Sequence, residues 1–364
     1  MRPTTTRRRF IKGTGAALAA SAFGLPAFSR TRPRAKLGVA LVGLGGYSAG
    51  RLAPGLQQTE HCELRGIVTG SPEKIPVWQE RYGIADRHVY SYDTLDDIAD
   101  DDAIDVVYIV TPPSLHARDA IRAAEAGKHV WCEKPMAMNV AECQSIIDAA
   151  RQNGVSLSIG YRLHHEPNTQ AIMRFARERT YGPVRGVKTG NGFVGTFDPT
   201  AWRRIAALGG GALYDMGVYP INAARYATGL EPVAVRGRQW SERLDLFGEV
   251  DEFTTFELEF PGGIVVPGET SFGRQVNYLD VTAEDERYWL RPFMNYSGVG
   301  GEVSDGTQLT PDPGHQQARQ MDAEALAILE GRPPIAPGEE GLRDIQIVNA
   351  IQASDADNEA WISL

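Results

Sequence analysis

The sequence predicts an α/β protein in two parts: an N-terminal Rossmann-type doubly wound parallel sheet and a C-terminal α+β domain on a largely antiparallel open sheet. Three observations carry this. Short apolar runs alternate with helix-like stretches as far as residue 157, as βαβ crossovers require. From about Ser158 the runs alternate apolar with polar residues and are separated by Gly and Pro, the pattern of a sheet with one covered face. The 364 residues are 42% hydrophobic and 23% charged, an ordinary globular composition with length enough for two cores. Disordered, collagenous and coiled-coil classes are excluded. The expected divisions are 1–34, 35–157 and 158–364.

Residues 1–34 read as an address rather than as structure. Arg7-Arg8-Arg9-Phe10-Ile11-Lys12 sets an arginine pair ahead of sixteen uncharged residues, 13–28, with small-residue cleavage sites at Ala20-Ser21-Ala22 and Leu25-Pro26-Ala27. Sixteen is short of the ~20 that a spanning helix needs. The segment resembles a twin-arginine signal, a route for proteins that fold around a cofactor before export. It implies a periplasmic protein with no membrane attachment after cleavage. The formal net charge is −9, but eight of the 37 Lys and Arg lie in this segment, leaving 29 bases against 46 acids, net −17, over 35–364. So acidic a body lacks the basic face that nucleic acid or an anionic membrane requires. The three cysteines, Cys62, Cys132 and Cys143, form neither a disulfide framework nor a zinc spacing and read as small buried apolar residues.

The first strand, Lys36–Val42, runs into Gly43-Leu44-Gly45-Gly46-Tyr47-Ser48 and a helix. This is G-x-G-x-x-S, with Ser where Gly or Ala is usual. The first Gly permits the turn, the second lets backbone approach a pyrophosphate, and a small third residue lets helix meet strand. A second strand, Glu63–Val68, follows about twenty residues on, and a third is expected at Asp105–Val110. An NAD site usually ends its second strand on an acid that bonds the ribose 2′-hydroxyl. Here the strand ends in Val68-Thr69-Gly70-Ser71-Pro72-Glu73-Lys74. Thr69, Ser71 and Lys74 suit a 2′-phosphate instead, so the expected cofactor is NADP.

Strand three leads to Thr111-Pro112-Pro113-Ser114-Leu115-His116, and the next strand to Glu133-Lys134-Pro135. The carboxyl ends of such strands face the ligand crevice, which directs Thr111, Pro112, His116, Glu133 and Lys134 to the cofactor. Further on stands Gly209-Gly210-Gly211-Ala212-Leu213-Tyr214-Asp215-Met216-Gly217-Val218-Tyr219. Asp215 and Tyr219 are four apart, hence on one face of a helix. Oxidising an alcohol needs a base for the hydroxyl proton; a phenol serves when a cation such as Lys134 lowers its pKa. Asp215 then holds Lys134 or a sugar hydroxyl in register.

With Val42-Gly43-Leu44-Gly45, Glu133-Lys134-Pro135, Ile159-Gly160-Tyr161-Arg162, Gly209–Asn222 and Pro337-Gly338-Glu339-Glu340-Gly341 in this order, the chain resembles the glucose–fructose oxidoreductase and inositol dehydrogenase superfamily, and within it the periplasmic glucose–fructose (or aldose–aldose) oxidoreductase branch. The resemblance implies that Lys134, Asp215 and Tyr219 are catalytic, with Tyr219 as proton acceptor and donor where much of the superfamily has His. It implies cofactor contacts from Gly43, Leu44, Gly45, Gly46, Tyr47, Thr69 and Lys74. Arg162, Trp202, Arg203, Arg204 and Tyr296 fall near the substrate pocket, with Gln317 a weaker candidate. The implied activity is ping-pong hydride transfer from an aldose C1 to tightly bound NADP and on to a second sugar, giving lactone and polyol. A simple NADP-dependent aldose dehydrogenase and an NAD-dependent glycoside hydrolase stand as alternatives.

In the second domain Val184–Thr189, Val233–Arg238, Glu252–Phe260 and Ile264–Phe272 read as strands, and Gln316–Gly331 as an amphipathic helix ending at a Gly cap. Phe253, Phe256, Leu258 and Phe260 are expected in the core or at a subunit interface, since the free face of the sheet suits a homodimer or homotetramer. His164-His165 are adjacent and splay apart, so no metal is expected.

Overall fold

A computed structural model describes residues 36–364; the segment expected to be an export signal lies outside the described residues. The first sheet has six strands: β1 (Leu37–Val42), β2 (Cys62–Val68), β3 (Val89–Tyr90), β4 (Val106–Ile109), β5 (His129–Cys132) and β6 (Leu157–Ile159). All pairings are parallel, in the order β3-β2-β1-β4-β5-β6. Helices α1 (Ala53–Leu56), α2 (Ile75–Tyr82), α3 (Pro113–Glu125) and α4 (Val140–Gln152) connect them. The near-unbroken apolar run of β1 reflects burial on both faces. The strand order reverses between β1 and β4, which opens the crevice where such sheets take ligands.

Two details differ from the expectation. The run at 105–110 is the fourth strand, because the two-residue β3 precedes it, too short to show periodicity. The parallel sheet also runs to Ile159, so Ser158 lies in its last strand, paired beside Trp131.

Helix α5 (Pro167–Glu178) leads into a nine-stranded sheet with β7 (Val184–Gly192), then helices α6 (Val218–Thr228) and, after β8 (Ala234–Trp240), α7 (Leu244–Phe247). There follow β9 (Phe253–Phe260), β10 (Ile264–Ser271), β11 (Val276–Ala283), β12 (Arg287–Leu290), β13 (Gly301–Val303) and β14 (Gln308–Leu309). Helices α8 (Gln316–Leu329) and α9 (Gly338–Ala356) and the short β15 (Ile362–Ser363) complete the chain. The order is β14-β13-β12-β11-β7-β10-β9-β8-β15, antiparallel except where β7 meets β10. Helices α6 and α9 cover one face. Phe256, Leu258 and Phe260 point under them, while Phe253, out of step with that alternation, lies on the opposite face with its ring stacked on Trp240; all four are buried within the chain itself. The other face presents Arg236, Arg238, Glu257, Glu259 and Glu269, half-buried or exposed.

Helix α8 begins at Gln316, as expected, and Gly331 beyond it adopts φ +64°. It returns to the first sheet: Met321 and Ala325 join one apolar cluster with Leu41, Leu52 and Leu56. The Asp322 carboxylate accepts from the backbone N–H of Glu60 (2.8 Å) and His61 (2.6 Å).

Candidate active site

The fingerprint turn is built as the glycines require. Gly43 sits at φ +95°, and a Cβ there would come within 3.0 Å of the Val110 carbonyl oxygen. Ser48, the unusual third residue, is buried and donates from Oγ to the Gly43 carbonyl at 2.6 Å, fastening the turn to the start of the helix. A Cβ at Gly45 or Gly46 would meet nothing within 4 Å, so the loop has room on the side from which a pyrophosphate approaches.

At the end of β2, Thr69 Oγ1 accepts from the Ser71 N–H (3.0 Å), leaving its hydroxyl hydrogen to donate. Lys74 Nζ donates to the Leu44 carbonyl at 3.0 Å, which brings the ammonium onto the fingerprint loop. A hydroxyl hydrogen at Thr69 and an ammonium at Lys74 are the donor and the cation that a 2′-phosphate takes, so the residues present fit a phosphorylated dinucleotide.

On the nicotinamide side, β4 delivers Thr111 and Pro112, and β5 delivers Glu133 and Lys134. His116, expected at the cofactor, is buried, with Nδ1 2.9 Å from the Pro135 carbonyl and Nε2 2.7 Å from that of Thr111. Burial lowers the ring's pKa, and a neutral imidazole has one N–H, so it donates to one of these carbonyls while lying between the two crevice loops. The Glu133 carboxyl also turns inward, accepting from the Tyr108 hydroxyl at 2.7 Å. Gly160 makes room for it, since a Cβ there would lie 2.6 Å from Glu133 Oε1. Burial pushes this carboxyl up to about 7, against the opposing effects of the Tyr108 hydrogen bond and Lys134.

Lys134 reaches across to the second domain. Its Nζ donates to the Asp215 carbonyl (2.7 Å) and carboxylate (3.3 Å). The other carboxylate oxygen accepts from Arg203 Nε at 2.6 Å. Burial alone would raise the Asp215 carboxyl, but Arg203 and Lys134 more than offset it and hold it below its ordinary value. Burial likewise disfavours the Lys134 ammonium, and Tyr219, Asp215 and Glu133 outweigh that to keep it charged.

The expected continuous helix face is modified. Asp215 lies in a π-turn, Leu213–Gly217, and Tyr219 in the first turn of α6. The Lys134 ammonium nevertheless sits 4.8 Å from the Tyr219 ring centroid.

Of the expected substrate residues, the structure brings Arg162, Arg203 and Tyr296 to this point. The Arg162 guanidinium carbon lies 5.3 Å from the Tyr219 ring centroid and 4.4 Å from that of Tyr296, and Trp202 lies under Arg203 at 4.5 Å. Arg204 is turned away, donating to the Leu246 and Asp245 carbonyls. Tyr47 accepts from Gln317 Nε2 at 3.3 Å and stands 6.1 Å from Tyr296. Arg51, which no motif marked, lies 4.3 Å over the Tyr296 ring. His164 and His165 take separate partners, Asn222 and Glu324.

Residues 37–161 match the oxidoreductase family, NAD-binding Rossmann fold, and residues 169–290 match the GFO/IDH/MocA C-terminal domain. The chain is 30% identical to the D-xylose 1-dehydrogenase [NADP(+)] of Haloarcula marismortui, over 88% of this chain and 91% of that one. It is 28% identical to the dTDP-3,4-didehydro-2,6-dideoxy-alpha-D-glucose 3-reductase of Actinomadura kijaniata, over 88% and 96%. Among solved structures it resembles the aldose-aldose oxidoreductase of Caulobacter crescentus complexed with glycerol, with TM-score 0.86 and 38% identity over 90% of this chain and 100% of that one.

Proposed function

The chain belongs to the GFO/IDH/MocA oxidoreductase family, and from that premise we propose that it is an NADP-dependent sugar oxidoreductase oxidising an aldose at C1. The observation that carries this is the meeting of the Lys134 ammonium with the Tyr219 phenol beside the fingerprint crevice, with Asp215 holding the ammonium. The relatives named as an NADP xylose dehydrogenase and an aldose-aldose oxidoreductase support the substrate class.

When bound, the nicotinamide supplies the hydride acceptor. Thr69 and Lys74 would hold the 2′-phosphate end, and the backbone at Gly45 and Gly46 would receive the pyrophosphate. Lys134 donates to the sugar C1 hydroxyl and orients it. Tyr219 takes the hydroxyl proton as the C1–H bond gives up its hydride, so C1–O becomes a carbonyl and the product is a lactone. In the reverse sense Tyr219 returns that proton to the carbonyl oxygen of a second sugar, giving a polyol. Proton and hydride therefore balance over the two halves without a diffusible reductant. Arg203 keeps Asp215 ionised and so keeps Lys134 in place.

The basic opening segment, with its uncharged stretch, supports export by the twin-arginine route and action in the periplasm, where a retained NADP would be needed. The open face of the second sheet supports a homodimer or homotetramer, to be measured by light scattering. The decisive experiment is the absorbance spectrum of purified protein before and after glucose or xylose, then after a ketose or second aldose. The expected result is co-purified nucleotide, a reduced-nicotinamide band with the first sugar, and its loss with the second. Release of free NADPH instead identifies a simple dehydrogenase; protein without nucleotide that gives no band with aldose and added NADP overturns the proposal.

A further inference from the structure

Five side chains from separate elements form one alternating stack of cations and rings across the crevice. Arg51, after the fingerprint turn, lies 4.3 Å from Tyr296, which lies 4.4 Å from Arg162; Arg162 is 5.3 Å from Tyr219, and Tyr219 is 4.8 Å from Lys134. The central member is unusual. Arg162 is fully buried, yet no carboxylate pairs with it among the described residues. Its terminal nitrogens donate to the carbonyls of Asn295 and Met294 and to the Gln316 amide oxygen, and its Nε hydrogen has no acceptor. A buried guanidinium neutralised only by dipoles is costly, and dipoles leave its field largely unquenched.

Lys134, by contrast, has Asp215, whose carboxylate Arg203 also shares. The groups around the Tyr219 ring are Lys134 from the β5 loop, Arg162 from the turn after β6, Tyr47 from the fingerprint, Tyr296 from the loop after β12 and Arg203 from ahead of the π-turn, with Glu133 acting on the neighbouring Tyr47 and Asp215 on Tyr296. Of the cations, Arg162 alone has no carboxylate paired with it beside the ring. Burial weakens the guanidinium's hold on its proton, and the phenols of Tyr219, Tyr47 and Tyr296 more than restore it. The same guanidinium lowers the phenols of Tyr47 and Tyr296 against the burial that raises them, and it lies 5.3 Å from the Tyr219 ring centroid.

The geometry points to Arg162 as a positioning residue of the proton transfer: an unquenched cation that, opposite Lys134, stabilises the charge on the Tyr219 oxygen when it holds no proton. This rests on the reading of Tyr219 as the proton acceptor. It assigns Arg162 to the base rather than to the sugar, and Gln316 to holding Arg162 without neutralising it.

The test is single-turnover reduction of the bound cofactor by aldose, followed at the reduced-nicotinamide band from acid to alkaline pH. Arg162→Gln is expected to retain nucleotide, to leave aldose KM within about twofold, and to need a pH about one unit higher for the same rate. At neutral pH that is a loss of roughly tenfold. Arg162→Lys keeps the charge and should keep the wild-type profile. Should Arg162→Gln fail to fold, Gln316→Glu decides: it leaves Arg162 in place but gives it a counter-ion, and should move the profile in the same direction. Folded, loaded variants that keep the wild-type profile, or whose loss lies wholly in KM, overturn the assignment. A wild type that gives no band at any pH overturns the reading of the reaction itself, which separates the two failures.

Discussion

Lys134 donates to both the carbonyl and the carboxylate of Asp215, and substitutions of the two residues should separate chemistry from stability. Lys134→Ala is expected to cost 10²–10⁴-fold in the rate of hydride transfer, measured by stopped flow, while nucleotide stays bound, since a positioned proton-transfer group contributes about that much. Asp215→Asn strands two cations, one of them buried, and should lower stability by about 2–3 kcal/mol in denaturant titration. Because Asp215 is held below its ordinary value, that contribution is present above the ordinary carboxylate range and fades as pH falls through the folded value. Glu133 has the opposite sign. Its carboxyl is raised from 4.5 to about 7, so the folded state holds a proton that the unfolded chain has released between those values. Stability therefore falls as pH rises from 4.5 to 7, and Glu133→Gln should flatten that slope. At the other end of the cofactor, Thr69→Asp places a carboxylate beside Lys74 and the expected 2′-phosphate. It should shift the ratio of NADP to NAD affinity toward NAD by at least tenfold, read by calorimetry on nucleotide-free protein. At this scale the sequence distinguished kinds of side chain but not their direction. Arg203 and Arg204 are neighbours of identical chemistry, and only the turn between them decides which meets Asp215. His116 is buried between the carbonyls of Thr111 and Pro135, a placement its residue type alone does not reveal.

The element that sets the catalytic geometry is the loop Gly209–Gly211 with the π-turn after it. Gly211 adopts φ +104°, and a Cβ there would lie 2.1 Å from Asp251 Oδ1. The other oxygen of that carboxylate accepts from the Leu213 N–H at 2.8 Å. Gly211→Ala should thus lower the melting temperature and displace the turn that carries Asp215, with activity falling further than stability alone explains. The three glycines and the spacing of Asp215 and Tyr219 were legible because they are local. The π-turn was not, because its extra residue leaves no mark on composition. Elements long enough to show a period, such as β9, β10 and α8, were legible too. The strands β11 to β14 were not: β11 places Asn277 and Asp280 among its apolar residues, and β13 and β14 have three and two residues.

Across the whole molecule, the division into a nucleotide half and a sugar half is real in the two sheets but not in the packing. One apolar cluster draws residues from both, from Val42 and Val107 through Tyr219 to Leu258 and Ile351. The crossing that matters for the site, Lys134 to Asp215, spans 81 positions of chain. Sequence reasoning reached it through chemistry, by asking which base and which cation an alcohol oxidation needs, since no periodic signal joins those segments. Helix α8 joins the halves in the other direction, sealing β1 and α1 with Met321 and Ala325 and touching Tyr108 through Gln320 at 3.0 Å. A ribosome making this chain therefore cannot leave a finished nucleotide half behind it as it proceeds. Until residues 316–329 have left the exit tunnel, one flank of the parallel sheet stays bare, and closure of the crevice waits on a helix made long after the strands it covers.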